Sequence, residues 1–302
     1  MNMKVKIAGV ELNNPIIAAS GTFGFGHEYG ELYDLNEVGA ISVKGLTKAP
    51  RAGNPPPRIT ETPGGVLNSV GLQNPGVDAF IEKEIPFLRQ YSCKIIANMA
   101  GSTFEDYCEM AEKLSAVDVD MLEMNISCPN VKAGGAAFGT NPDTVFEITK
   151  TVRKYAKLPL IVKLSPNVSD ITETAKAAEA GGADALSLIN TLTGMAIDIK
   201  TKRPILANVI GGLSGPCVKP VALRMVHQVY NSVNLPIIGM GGISNGTDAV
   251  EFFLAGSAAV QVGTANFTDP YACVRIRDEL KEYMKAENIA NVSDLTGQLI
   301  VD

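Results

Sequence analysis

Short apolar runs recur along the chain at Pro15–Ala19, Ala40–Val43, Lys94–Met99, Met121–Asn125, Leu160–Lys163, Ala185–Asn190, Pro236–Gly239 and Ala258–Val262. Each has the length of a buried parallel strand. Between most of them the apolar positions change to a helical spacing, over Phe104–Leu114, Thr144–Ala156, Ile171–Ala180, Pro220–Tyr230, Thr247–Leu254 and Tyr271–Lys285. Asn141-Pro142-Asp143 and Ser169-Asp170 place N-cap residues ahead of two of these helices. Alternating units of this kind predict an α/β fold, a (β/α)8 or TIM barrel, with a doubly wound sheet as the structural alternative. Ahead of the pattern, Met3 to Leu12 alternates around Ala8-Gly9, which predicts a small hairpin at one end of the barrel.

Two connections exceed an ordinary βα loop. Lys44 to Gly76 is rich in Pro, Gly and Asn, and Thr191 to Gly215 contains a strand-like Ala196-Ile-Asp-Ile-Lys200 and a second run at Pro204–Val209. Both leave from strand tips, where long insertions are usually functional.

With 302 residues and 46% hydrophobic content the chain can bury a large core, and residues 1–302 are read as one barrel domain. The net charge is −6 and the basic residues are scattered, so no footprint for nucleic acid or anionic lipid is present; a small-molecule ligand is expected. Cys93, Cys108, Cys128, Cys217 and Cys273 form no C-x-x-C pair, which excludes a readable disulfide framework, zinc site or iron-sulfur site and fits a reducing cytosol. All but Cys128 are expected to be packed inside. Asn13-Asn14-Pro15 interrupts any signal-peptide core, and no run reaches the roughly 18 apolar residues of a spanning helix, so a cytoplasmic protein is expected.

The strand tips are polar: Ser20 and Gly21, Lys44 and Gly45, Asn98, Asn125, Lys163, Asn190 and Thr191, Gly241 and Gly242, Gly263 and Thr264. Any one of these is an ordinary strand end, but three Asn and two Lys on one face suit a flat, polar, anionic ligand. Gly239-Met-Gly-Gly242 and Gly263-Thr264 offer main-chain N–H groups where barrels often bind phosphate. No G-x-G-x-x-G is complete, so a Rossmann site is not indicated.

Cys128 follows the fourth strand in a polar loop, Asn125-Ile-Ser-Cys128-Pro-Asn130, that leads to Gly134-Gly135. It is the candidate base or nucleophile. His27 and His227 stand at no strand tip, which argues against a Cys-His or Ser-His-Asp device. Lys163 ends Leu160-Ile-Val-Lys163 and suits either a Schiff base or a fixed positive charge beside an anionic ring.

Ala18-Ala-Ser-Gly21, Lys44-Gly45, Asn68-Ser-Val-Gly-Leu-Gln-Asn74, Asn125-Ile-Ser-Cys-Pro-Asn130, Ile189-Asn190-Thr191, Gly211-Gly-Leu-Ser-Gly215, Gly239-Met-Gly-Gly-Ile243 and Gly263-Thr264 together resemble the dihydroorotate dehydrogenases, over nearly the whole chain. The resemblance implies oxidation of (S)-dihydroorotate to orotate in pyrimidine (UMP) biosynthesis, with FMN bound by this chain. It places Cys128 as the base, as in soluble members, where membrane-associated members carry serine. Substrate contacts fall on Lys44, Asn68, Ser69, Val70, Gly71, Leu72, Asn125, Asn190 and Thr191. FMN contacts fall on Ser20, Lys44, Gly45, Asn98, Asn125, Lys163, Ile189, Gly215, Gly241, Gly242, Gly263 and Thr264.

The loop Asn130-Val-Lys-Ala-Gly-Gly135 and Gly194-Met-Ala-Ile-Asp-Ile-Lys200 are most similar to the NAD-linked heteromeric type. That type implies an iron-sulfur flavoprotein partner subunit carrying FAD and [2Fe-2S], assembled as a dimer of heterodimers. The alternatives are a fumarate-dependent homodimer, a Schiff-base aldolase on Lys163 and a non-catalytic FMN-binding barrel.

Overall fold

The structure is a computed structural model that describes residues 1–126 and 138–301. Eight parallel strands close into a barrel in chain order: Ile16–Ala18, Ala40–Ser42, Lys94–Met99, Met121–Asn125, Leu160–Lys163, Ala185–Leu188, Ile237–Met240 and Ala259–Val262. The expected (β/α)8 architecture is therefore present and the doubly wound alternative is not. The first and seventh strands begin one residue after Pro15 and Pro236. Neither proline has an N–H for the ladder, but their carbonyls accept from Val260 and Leu186.

The outer helices lie where the periodicity places them, at Phe104–Leu114, Pro142–Arg153, Ile171–Ala180, Lys219–Tyr230, Gly246–Leu254 and Ala272–Ala286. Their starts are fixed by side chains: Thr103 and Asp106 form a capping box, and Asn141, Asp170 and Asn245 accept from Thr144, Thr172 and Asp248 N–H. Helical residues 77–88, which precede the third strand, carry no clear periodic signal in the sequence. The hairpin pairs Val5–Ile7 with Val10–Leu12 across Ala8 and Gly9, both at positive φ, and feeds into the first strand from its N-terminal side.

Register puts alternate residues on the inner face and sorts them by height. Ile17, Ile96, Ile161 and Ile238, all fully buried, come from the odd strands. Each is registered with one residue of the set Ser42, Glu123, Ser187 and Gln261 from the even strands. On the other side each meets one of Ala40, Met121, Ala185 and Ala259. The interior is thus stacked in fours, as barrel geometry requires. Its lower layers are apolar, and the layer above the isoleucines is polar.

Both long connections fold at the strand C-termini, into one four-stranded antiparallel sheet ordered Leu192–Met195, Ile210–Ser214, Gly65–Asn68, Ile59–Thr62. Within the strand-like Ala196–Lys200 only Ile197–Asp198 is a strand, paired with Arg203–Pro204; of the run Pro204–Val209 only Pro204 belongs to that pair, and the longer strand begins at Ile210. Cys93, Cys108 and Cys273 are buried as expected, but Cys217 is exposed. It sits on the turn Pro216–Val218, which leaves Gly215 at φ 110 and carries the thiol away from the core. Among the described residues no helix is long and apolar enough to cross a membrane.

Gly239 faces the helix Gly246–Leu254 so closely that a Cβ would press on the Phe252 ring and the Ser257 hydroxyl. Gly239→Ala should cost about 1–3 kcal/mol by overpacking. It should appear as a lowered urea midpoint with the far-UV spectrum retained.

Candidate active site

A large cavity opens at the strand C-termini. Ser20, Gly21, Lys44, Gly45, Asn98, Asn125, Lys163, Ile189, Asn190, Thr191, Gly241, Gly242, Gly263 and Thr264 all line it, so the polar tips do converge. The insertion sheet supplies a wall from Ile59, Val66, Asn68, Leu213 and Ser214, continued by Val70, Gly71, Leu72 and Gly215. Thr264 Oγ1 and Ser214 Oγ, 2.9 Å apart, join that wall to the eighth strand tip.

Among the described residues, one predicted contact is not on the wall. Ser69 is buried behind it: its N–H donates to the Arg58 carbonyl and its own carbonyl accepts from Asn54 Nδ2, so its main chain serves the loop and not the cavity. Cys128 lies outside the described residues, as do its neighbours 127–137.

The loop carrying Val70 to Leu72 is held by Asn74, whose Oδ1 accepts from Thr47 and Gly76 N–H and whose Nδ2 donates to the Leu72 carbonyl and Thr47 Oγ1. Gly71, at φ 77, packs against Asn54, where a Cβ has no room. On the opposite rim Asn190 Nδ2 donates to Asn125 Oδ1 at 3.1 Å, and Asn167 binds the Thr191 carbonyl and Thr193 N–H. Buried Tyr107 donates to the Asn125 carbonyl at 2.7 Å and ties the fourth strand tip to the helix outside it. The turn Gly241-Gly242 has φ 121 and 84, and at Gly242 a Cβ would also collide with Lys219 and the Gly215 carbonyl.

Directly beneath the cavity stands Glu123, fully buried. Its carboxylate accepts from Ser187 Oγ (2.7 Å) and Gln261 Nε2 (2.8 Å) on one oxygen and from Ser42 Oγ (2.8 Å) and Asn98 Nδ2 (2.6 Å) on the other. Burial by itself raises such a carboxyl's pKa. The Lys163 charge and the bonds from Ser187, Ser42 and Asn98 outweigh it and hold the group below its ordinary 4.5. Lys163 is only 5% exposed, with Nζ 3.4 Å from Ser20 Oγ at the cavity edge. With a fixed cation, amide groups at several tips and glycine turns beside them, the site suits a planar anionic ligand.

A family model for dihydroorotate dehydrogenase matches residues 2–284. The chain belongs to the dihydroorotate dehydrogenase family. It is 64% identical over 299 residues, 99% of both chains, to a protein of Alkaliphilus metalliredigens named dihydroorotate dehydrogenase B (NAD(+)), catalytic subunit. Proteins of the same name from Thermoanaerobacter pseudethanolicus and Geobacter metallireducens are 57% identical over 302 residues and 58% identical over 301 residues, covering 99% or more of each chain.

In this member of the dihydroorotate dehydrogenase family, periodicity and strand-tip reasoning missed the floor. Glu123, Ser42, Ser187 and Gln261 are single polar residues inside apolar strands, each read as part of a buried run. A charged residue at the middle of Met121-Leu-Glu-Met124 was the available signal, because a strand covered on both faces buries it on either side.

Glu123 also predicts an acid response. Its folded pKa lies below the unfolded one, so the unfolded chain takes up the proton first as pH falls. The stabilisation is complete above about pH 5 and is lost downward through 4.5 and the lower folded value. The parent's melting temperature should therefore fall more steeply between about pH 5 and 3 than that of Glu123→Gln.

Proposed function

We propose that this chain is the catalytic subunit of an NAD-linked dihydroorotate dehydrogenase, residues 1–302 acting as one FMN-binding unit in the cytoplasm. The observation that carries the reading is the convergence of Lys44, Asn68, Asn125, Asn190 and Thr191 with the cation of Lys163 in one cavity. Full-length relatives with that printed name support it. The residues fit a flavin mononucleotide. The buried oxygens of Asn98 and Gln261, without a partner among the described residues, suit a ring with an N–H edge, and the glycine turns after the seventh and eighth strands leave main-chain N–H groups for a phosphate.

FMN, when bound, supplies the acceptor for the hydride that leaves C6 of dihydroorotate. Cys128 is the base that takes the C5 proton, a role a thiol of ordinary pKa near 8.5 can fill at neutral pH. Asn68, Asn125 and Asn190 orient the substrate by its amide and carboxylate groups, with Lys44 and Thr191 at the same rim. Lys163 holds a positive charge where negative charge develops, a preorganised electrostatic contribution. Ser20, Gly45, Asn98, Ile189, Gly215, Gly241, Gly242, Gly263 and Thr264 complete the cofactor's surroundings.

The relatives' printed name, a dehydrogenase, disfavours a Schiff-base aldolase on Lys163. The word "catalytic" in the relatives' names disfavours a passive flavin scaffold, and "NAD(+)" disfavours the fumarate type. Electrons then leave through a partner iron-sulfur flavoprotein with FAD and [2Fe-2S], in a dimer of heterodimers. This chain has no dinucleotide fingerprint or cysteine cluster to do that work itself.

Anaerobic dihydroorotate should bleach the flavin of the purified chain; a colourless protein, or a yellow one left unbleached, would sink the reading. Cys128→Ser should bind orotate nearly normally yet reduce flavin about 10²- to 10⁴-fold more slowly in single-turnover stopped flow. Lys163→Ala should lower the two-electron flavin potential measured by spectroelectrochemistry. The chain alone should form little NADH from dihydroorotate and NAD, and brisk turnover with fumarate would move it to the homodimeric type.

A further inference from the structure

The donors around Glu123 are of two kinds. Ser42 and Ser187 do not line the cavity, and their hydroxyls can rotate. Asn98 and Gln261 do line it, are essentially unexposed, and spend their NH2 groups on the carboxylate. A carboxylate only accepts, so neither amide can turn its oxygen downward without setting acceptor against acceptor. Their oxygens consequently point elsewhere, and Asn98 Oδ1 and Gln261 Oε1 are both buried with no partner among the described residues. Two orphaned acceptors in the floor of one cavity call for a donor from a ligand.

We propose that Glu123 is a positioning residue that fixes the Asn98 and Gln261 amides with their oxygens toward the cavity, where they form an acceptor site for an imide N–H of the bound ligand. The inference rests on the flavin reading above, in which that group is N3–H, the one ring N–H of an oxidised isoalloxazine. Glu123 touches neither cofactor nor substrate in this role. Its charge and its position between the second, third, sixth and eighth strands determine which end of each amide the ligand meets.

Glu123→Gln is the informative change because it preserves shape and removes an acceptor. One end of the substituted side chain becomes an NH2 group, which faces the amide of Asn98 or Gln261 donor to donor. That amide has to flip and then presents NH2 to the ligand's N–H. Apoprotein is titrated with FMN and with N3-methyl-FMN, which lacks the donor, while far-UV spectra and melting curves monitor folding. The parent should prefer FMN by about ten-fold or more, the scale of leaving buried acceptors unpaired. Folded Glu123→Gln should lose most of that preference, chiefly through weaker FMN binding.

Gln261→Met, which leaves Glu123 charged and removes one acceptor, should narrow the preference as well, and it carries the test if Glu123→Gln does not accumulate folded. An unchanged preference in whichever variant folds would overturn the proposal, as would a parent that binds FMN and its N3-methyl analogue equally. A parent that binds neither would overturn the flavin reading itself, and this inference with it.

Discussion

A single buried carboxylate sets the terms for the upper half of this barrel. Removing a charge from water costs several kcal/mol unless it is matched, and Glu123 sits on the barrel axis immediately above fully buried isoleucines. The match is made by four hydrogen bonds from the second, third, sixth and eighth strands, with the Lys163 charge added from the fifth. The fourth strand, which carries Glu123, is therefore tied through one group to five others at a common height. A shift of any of them would leave a charge or an amide unpaired in a low-dielectric interior, so the positions of their tips are tightly constrained. The cavity inherits that precision, because Asn98, Lys163 and Gln261 belong to both the floor and the site.

The rim is organised by a different rule. The insertions after the second and sixth strands pair with each other through Gly65–Asn68 and Ile210–Ser214, so two loops with little core of their own become one sheet standing on the barrel mouth. Backbone pairing gives the wall its shape, and a few side chains anchor it: Asn74 on its own loop, and Thr264 across to Ser214. Asn68 occupies the end of its strand, where its Nδ2 reaches the Gly212 carbonyl at 3.3 Å and its side chain also borders the cavity. Rim and floor are thus linked through the strand tips, without a continuous core between them.

The barrel was legible because its strands are covered on both faces and its helices on one, which writes two distinct periods into the chain. Strand-tip polarity then gave most of the cavity wall, since in this fold the tips share one face. The wall sheet was harder to read. Leu192–Met195 and Ile210–Ser214 are short and contain glycine, with weak alternation, and the second of them pairs with a segment more than a hundred residues away in sequence; the apolar run that stands out there, Pro204–Val209, lies just before the strand. Ser69 shares its motif with residues that line the cavity, but its own N–H and carbonyl are taken by Arg58 and Asn54, contacts that a local motif does not reveal. Glu123 was hidden for the opposite reason: it occupies a position where periodicity expects a hydrophobe, and only the demand that a buried charge be matched marks it as special.

The floor also bears on how one fold can separate affinity from chemistry. A base that acts on one face of a flat substrate and a hydride acceptor that lies on the other must reach it from opposite sides. In the reading proposed here the strands hold the cofactor side, where Lys163 and the two amides are fixed by Glu123. The sequence then places Cys128 beyond the fourth strand, past Asn125. That strand therefore carries both determinants in one short stretch: Glu123 pointing into the axis, Asn125 two residues further on the same inner face at the cavity, and Cys128 three residues beyond it. Because Glu123 pins its strand to the others, the point from which the chain departs toward Cys128 is fixed by the same interactions that orient the floor.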